Sequence, residues 1–162
     1  GNPNPDFVYG INLELSYKNL SLRVLANGVY GNDIANGNLL QLATPEGISW
    51  SNITTAAYNN AWRPERTSNS YPRIGYTTNG QIAMPDWIIE DGSFLRISNI
   101  NLSYQFDRIN IYLSAQNLFT FTGYSGYNPE VTSFLYDGLR NGVDWNGQPS
   151  ARKFTIGLNF NL

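Results

Sequence analysis

The sequence predicts an all-β chain, about five antiparallel strands from the wall of a transmembrane β-barrel, and three observations predict it. Five stretches alternate apolar and polar residues with a period of two. The connections between them are by turns very short and very long. The aromatics of the apolar faces gather toward the strand ends, with Ile, Leu, Val and Ala between them.

The first strand runs from Phe7 to Lys18. Its odd positions are Phe7, Tyr9, Ile11, Leu13, Leu15 and Tyr17, and its even positions include Gly10, Asn12, Glu14, Ser16 and Lys18. After Lys18-Asn19 the apolar set moves to Leu20, Leu22, Val24, Ala26, Gly28 and Tyr30, against Ser21, Arg23 and Asn27, a switch that a tight turn explains. A third strand sets Ile100, Leu102, Tyr104 and Phe106 opposite Asn99, Asn101, Ser103 and Gln105. A turn at Asp107-Arg108 leads to Ile109, Ile111, Leu113 and Ala115. The fifth strand places Phe154, Ile156, Leu158, Phe160 and Leu162 on one face and Lys153, Thr155, Gly157, Asn159 and Asn161 on the other.

The long connections, near 31–93 and 122–150, alternate with the tight turns. A soluble sandwich rarely segregates its loops so completely, whereas outer-membrane barrels have short periplasmic turns and long extracellular loops. Tyr9, Tyr17, Tyr30, Tyr104, Phe106, Phe119, Phe121, Phe154 and Phe160 read as two aromatic girdles. A Lys or Arg facing lipid at the midplane costs roughly 2–4 kcal/mol, and Glu14, Arg23 and Lys153 all fall on the polar face. Arg96 and Ser98 share parity with Ile100 and Phe106, so either a bulge near Ser98-Asn99 resets the register or Arg96 snorkels to the interface. Asn117 poses the same question between Ala115 and Phe119.

Composition removes several classes of function. The chain has no Cys and no His, hence no disulfide, no Cys/His metal site and no imidazole-activated nucleophile. Charged residues are 14% of the chain and the net charge is -2, which argues against a nucleic-acid partner. No apolar run approaches the roughly 18 residues of a membrane helix, which leaves a spanning barrel open. The opening GNPNPDF has no initiator Met, basic region or apolar run, and reads as a processed chain or a piece of a longer one. With the last strand ending in the periplasm, counting back puts Gly1 outside the cell. An odd count of strands does not close a bacterial barrel, which has an even number and at least about eight, so other polypeptide must supply the rest of the wall. An extracellular nick or a split barrel is the expected reason.

The stretches NPDFVYGINLELSYKNLSL, GVYGNDI, DGSFLRISNINLSYQF, INIYLSAQNLFTFTGYSGYNPEV and RKFTIGLNFNL together resemble the C-terminal end of SusC/RagA-type TonB-dependent outer-membrane transporters. Residues 114–131, SAQNLFTFTGYSGYNPEV, are the most specific part. The resemblance implies that residues 1–162 are the C-terminal segment of a barrel of about 22 strands, with the plug and the TonB-contacting segment outside this sequence. It implies an importer of glycans or peptides, not an enzyme and without a cofactor. Its partners are the remaining barrel and plug, a SusD-like lid lipoprotein, TonB through the plug, and outer-membrane lipid. Thr155, Gly157, Phe160 and Leu162 resemble the terminal-strand signal read by barrel-assembly machinery, and the strand is expected to close the barrel.

Inward-facing Glu14, Arg23, Asn27, Tyr112 and Gln116 are expected to line the lumen, where contact with the plug competes with contact to cargo. In the first long loop Trp50, Trp62, Tyr71, Tyr76 and Trp87 offer flat faces for a sugar or a partner, and Tyr124, Tyr127, Tyr136 and Trp145 do so in the second. The competing reading is that these rings pack the loops. Ser51–Trp62 has the makings of a short helix capped by Ser51. Oxygens of Asp33, Asn36 and Asn38, or of Asp144 and Asn146, suit calcium, but Asx-Gly pairs are commonly turns. Asn52-Ile53-Thr54 matches a glycosylation acceptor, a short pattern frequent by chance. The alternative from another class is a soluble all-β carbohydrate-binding module, whose apolar faces would be buried. A glycosidase-like carboxylate pair among Asp86, Glu90, Asp91 and Glu130 has nothing in the sequence to set its separation.

Overall fold

A computed structural model describes residues 1–43, 52–67, 71–74, 85–131 and 141–160. Among the described residues the strands form two sheets. The larger is an antiparallel five-stranded sheet in the order β1 (Phe7–Tyr17), β2 (Leu20–Tyr30), β5 (Phe94–Phe106), β6 (Ile109–Thr122), β8 (Lys153–Phe160). The smaller, lying in the long connections, places β3 (Asp33–Asn36) between β4 (Ile89–Asp91) and β7 (Val143–Asp144). The described residues of the loops also form two short helices, α1 (Gly37–Ala43) and α2 (Thr55–Asn60), and a 3₁₀ turn (Asp86–Ile88).

The tight turns sit where the parity switch puts them. Tyr17 pairs with Leu20 and Phe106 with Ile109, and the first turn residues, Lys18 and Asp107, adopt φ of 52° and 48°. The Asn19 amide donates to the Gln105 carbonyl at 2.7 Å, and the Gln105 N–H donates to the Asn19 carbonyl at 2.8 Å, tying the two hairpin ends together.

Register carries the alternation across the whole sheet. The row Glu14, Arg23, Asn101, Ser114, Thr155 is polar from end to end, and the adjacent row Leu15, Leu22, Leu102, Leu113, Ile156 is wholly aliphatic. Aromatics group at both ends of the apolar face: Phe7, Tyr9, Tyr30, Phe119 and Phe121 toward the loops, Tyr17, Tyr104, Phe106 and Phe160 toward the turns. Phe154 departs from the girdle expectation, since it stands opposite Ala115 in a middle row. β8 starts later than its neighbours and never reaches the loop-end rows.

Two irregularities settle the parity questions. Ser98 is an extra residue in β5 relative to β2, so that Ile97 pairs with Ala26 and Arg96 with Asn27. The bulge turns Arg96 onto the polar face, and snorkelling is not needed. Asn117, at φ 52°, lies at the matching irregularity between β5 and β6, and its amide donates to the Ala151 carbonyl at 3.2 Å. From Phe119 onward β6 again presents aromatics beside Ile97 and Leu95.

The buried core lies in the loops. Ile34, Ala35, Ala43, Ala57, Ala61, Ile88 and Tyr124 are buried there, and Phe94 is buried where β5 leaves them. On the sheet, Ile11, Leu13, Leu15, Leu113, Ile156 and Leu158 are all exposed. A soluble sandwich needs a second layer over that face, and no described residue supplies one. Hydrocarbon is the environment that suits it. One expectation for the loops changes. The helix there is α2, capped by the Thr54 hydroxyl, which accepts from the Ala57 N–H at 3.2 Å, and Ser51 lies outside the described residues. The small sheet was not anticipated, because strands of two to four residues are too short to show a period.

Candidate functional site

The residues expected on the inner wall share one face. Glu14 receives two hydrogen bonds of 3.1 Å from one Arg23 nitrogen directly across the strands. The pair is more than half exposed, so it contributes little to stability and leaves both groups open to whatever fills the space above. Asn27 accepts a hydrogen bond from the Ser98 hydroxyl. Gln116 pairs with Asn99 and Lys153, and Tyr112 lies across Gly157, where an added Cβ would stand 2.2 Å from its ring. Gly157 thus makes room for an aromatic on a polar face. Thr155 pairs with Ser114, and exposed Phe160 stands on the apolar face opposite Ile109. Leu162 lies outside the described residues.

Where this wall meets the loops, Arg96 organises a polar cluster that pattern reading missed. It is 4% exposed, and all three guanidinium nitrogens are used. Nε donates to the Thr120 hydroxyl at 3.0 Å, one terminal nitrogen to Glu130 at 2.7 Å, and the other to the Asn128 side-chain oxygen. The planar five-donor fork of arginine suits three separate acceptors, and its face also lies 5.3 Å from the centre of the Phe94 ring. The signal in the sequence was the broken parity at Arg96; its partners, on the Asn128-Pro129-Glu130 turn, carry no period to find.

A second knot joins the two long loops. Glu90 accepts from the Ser125 N–H at 2.7 Å, the Ser125 hydroxyl at 2.8 Å and the Asn36 amide at 2.9 Å. Asn36 also caps α1 by accepting from the Leu39 N–H at 2.9 Å. Asp91 accepts from the Ser93 N–H at 2.9 Å, and bonding to Ser93 holds its carboxyl below the usual range. Asp33 accepts from the Asn2 N–H at 2.7 Å. Asp144 accepts from the Tyr124 hydroxyl at 2.7 Å and the Gly147 N–H at 3.2 Å. Asp33, Asn36 and Asp144 thus accept hydrogen bonds from within the chain, and no three acidic side chains converge among the described residues. Glu90 and Glu130 each accept hydrogen bonds in a separate knot, Glu90 from Ser125 and Glu130 from Arg96.

The aromatic loop residues divide. Tyr124 is buried, and its expected role as a surface contact is corrected to packing; burial first, and then Asp144, push its hydroxyl pKa upward. Tyr71 and Trp87 lie ring to ring at 6.2 Å, and Trp62 borders a cavity of about 240 Å³ with Arg63, Pro64, Glu65, Arg73 and Ile74. The Trp145 ring covers Gly37, where a Cβ would stand 2.3 Å away. Tyr127 is 69% exposed. Trp50, Tyr76 and Tyr136 lie outside the described residues.

The chain was compared with known proteins on this basis. No family model matches it. It is similar, at 32% identity over 98% of its length, to TonB-dependent receptor P3 of Formosa agariphila. It is similar, at 30% identity over 96% of its length, to TonB-dependent receptor SusC of Bacteroides thetaiotaomicron. Among solved structures it resembles a chain of the RagAB peptide importer in its open-open state, with a TM-score of 0.79 at 24% identity over 98% of this chain. That likeness shows the fold. The chain spans only 15% to 17% of the length of the curated relatives it matches.

Proposed function

The chain belongs to the SusC/RagA-type TonB-dependent receptors, and from that premise we propose that it forms part of the barrel wall and outer loops of an importer of large nutrients, glycans or peptides. The single observation that carries this reading is the two-faced sheet. One side exposes Leu13, Leu15, Leu113, Ile156 and Leu158, which suits lipid, and the other carries the Glu14–Arg23 row, which suits an aqueous lumen.

On this reading other polypeptide supplies the remaining strands and the plug, and TonB acts through that plug. A SusD-like lipoprotein closes over the loop end, where Tyr127 and Trp145 stand at the surface. In this arrangement the tight turns face the periplasm and the loop end, with Gly1 beside Asp33, faces outward. The free edge of β8 takes another wall strand, and Thr155, Gly157 and Phe160 serve in closing the barrel. Residues 1–162 are then the C-terminal segment of the wall.

The test is deletion of the full-length receptor gene in its host, followed by growth on single glycans and peptides. Loss of growth on one such nutrient, restored by a plasmid copy only in cells with a working TonB, is the expected result. Unimpaired growth of the deletion strain on every nutrient that induces the receptor overturns the reading.

A further inference from the structure

The polar face ends, at the loops, in a second cavity of about 240 Å³. Arg96, Asn117, Thr120, Thr122, Tyr127 and Arg152 are among the residues that line it. Its two arginines are in different states. Arg96 is buried and saturated by Thr120, Asn128 and Glu130, so its charge is already matched. Arg152 is exposed and has no hydrogen-bond or ionic partner among the described residues. Among the described residues the cavity therefore carries one unmatched positive charge, and Lys153, next in the chain, adds a second cation beside Gln116 on the same face. Tyr127 lines the same cavity with an exposed ring, and the Asn128–Glu130 turn that follows it is pinned by Arg96.

We infer that this cavity is a subsite for a carboxylate-bearing cargo, with Arg152 taking the carboxylate and the Tyr127 ring packing against the body of the same molecule. An unpaired guanidinium presents two parallel N–H donors that match a carboxylate, and a ring beside it contributes contact area at small cost in entropy. A uronic-acid glycan and the free C-terminus of a peptide share this chemistry. The inference rests on the importer reading for cargo as the occupant.

The test uses the purified full-length receptor in detergent, titrated with four probes by calorimetry. These are trigalacturonate, its fully methyl-esterified twin, tetra-alanine and tetra-alanine amide. The expected result is that one free-acid probe binds at least about tenfold more tightly than its neutral twin, which is about 1.4 kcal/mol. Arg152→Gln removes that preference, Arg152→Lys retains part of it, and salt weakens it. Tyr127→Ala weakens the acid and its neutral twin alike. The free acid preferred, uronate or peptide, identifies the source. Equal affinity of both free acids with their twins, or an Arg152→Gln receptor that binds as the parent does, overturns the subsite. The growth test is independent: an essential receptor with an indifferent Arg152 fails only the subsite, and a dispensable receptor fails the importer reading.

Discussion

Replacing Arg96 with Met removes a buried cation while keeping much of its apolar length. Three hydrogen bonds are lost, to Thr120, Asn128 and Glu130. Breaking a buried ion pair ordinarily costs about 3–5 kcal/mol because the remaining charge is stranded. Here the Glu130 side chain is 53% exposed and rehydrates, which lowers the expected loss to about 2–3 kcal/mol. The loss is local, since β5 and β6 keep their ladder on both sides of Arg96. Hydrogen exchange of the detergent-purified full-length receptor reads it directly. Amides of residues 124–131 should exchange about 30- to 150-fold faster, while those of Leu102 and Leu113 stay protected. Arg96→Lys keeps the charge but not the three-way fork, and should give roughly a tenfold increase. Unchanged exchange in 124–131, or acceleration spread evenly over β5 and β6, refutes the idea that Arg96 pins this turn to the wall.

Gly28→Ala places a Cβ 2.1 Å from the Phe94 carbonyl, a backbone atom that cannot step aside; a loss of about 3 kcal/mol should lower the temperature at which the barrel unfolds in a gel-mobility assay. Gly157→Ala meets only the Tyr112 ring, so its cost is about 1 kcal/mol in the same assay and disappears in the Gly157→Ala, Tyr112→Ala double variant. Tyr124 titrates above its ordinary 10.0, so the folded loop favours the neutral phenol; its stabilisation is complete below about pH 10 and falls as the pH rises beyond it. Limited proteolysis of the loops should therefore quicken between about pH 9 and about pH 11 in the parent, and Tyr124→Phe, about 1 kcal/mol weaker at neutral pH, should remove that component of the rise. Leu13→Arg puts a charge in a middle row of the apolar face and should cost roughly 2–4 kcal/mol of barrel stability if that face meets lipid, against nearly nothing if it meets water.

The wall was legible because a strand of eight or more residues exposed to two different environments writes its register in its own alternation. Leu13, Leu15 and Leu22 announce one environment, and Glu14 and Arg23 announce the other, without reference to any distant residue. Where the alternation broke, at Arg96 and Asn117, the break itself marked the two bulges; which strand absorbed the extra residue, and which way Arg96 then faced, depended on the neighbouring strands. The loops obey no such rule. Tyr124 and Tyr127 are three positions apart and equally aromatic, yet one is buried against Asp144 and the other stands at the surface. Glu90 meets Ser125 across 35 positions, and Arg96 meets Glu130 across 34. Those meetings join short segments with no period of their own, and they form only when the loops fold over a small core around Ile34 and Ile88. Local alternation therefore determined the strands and their faces, and the residues of stretches such as 114–131 carried the family resemblance. Tertiary packing alone decided which arginine is saturated and which is left free, because a charge is matched by whatever distant acceptor the fold brings within reach.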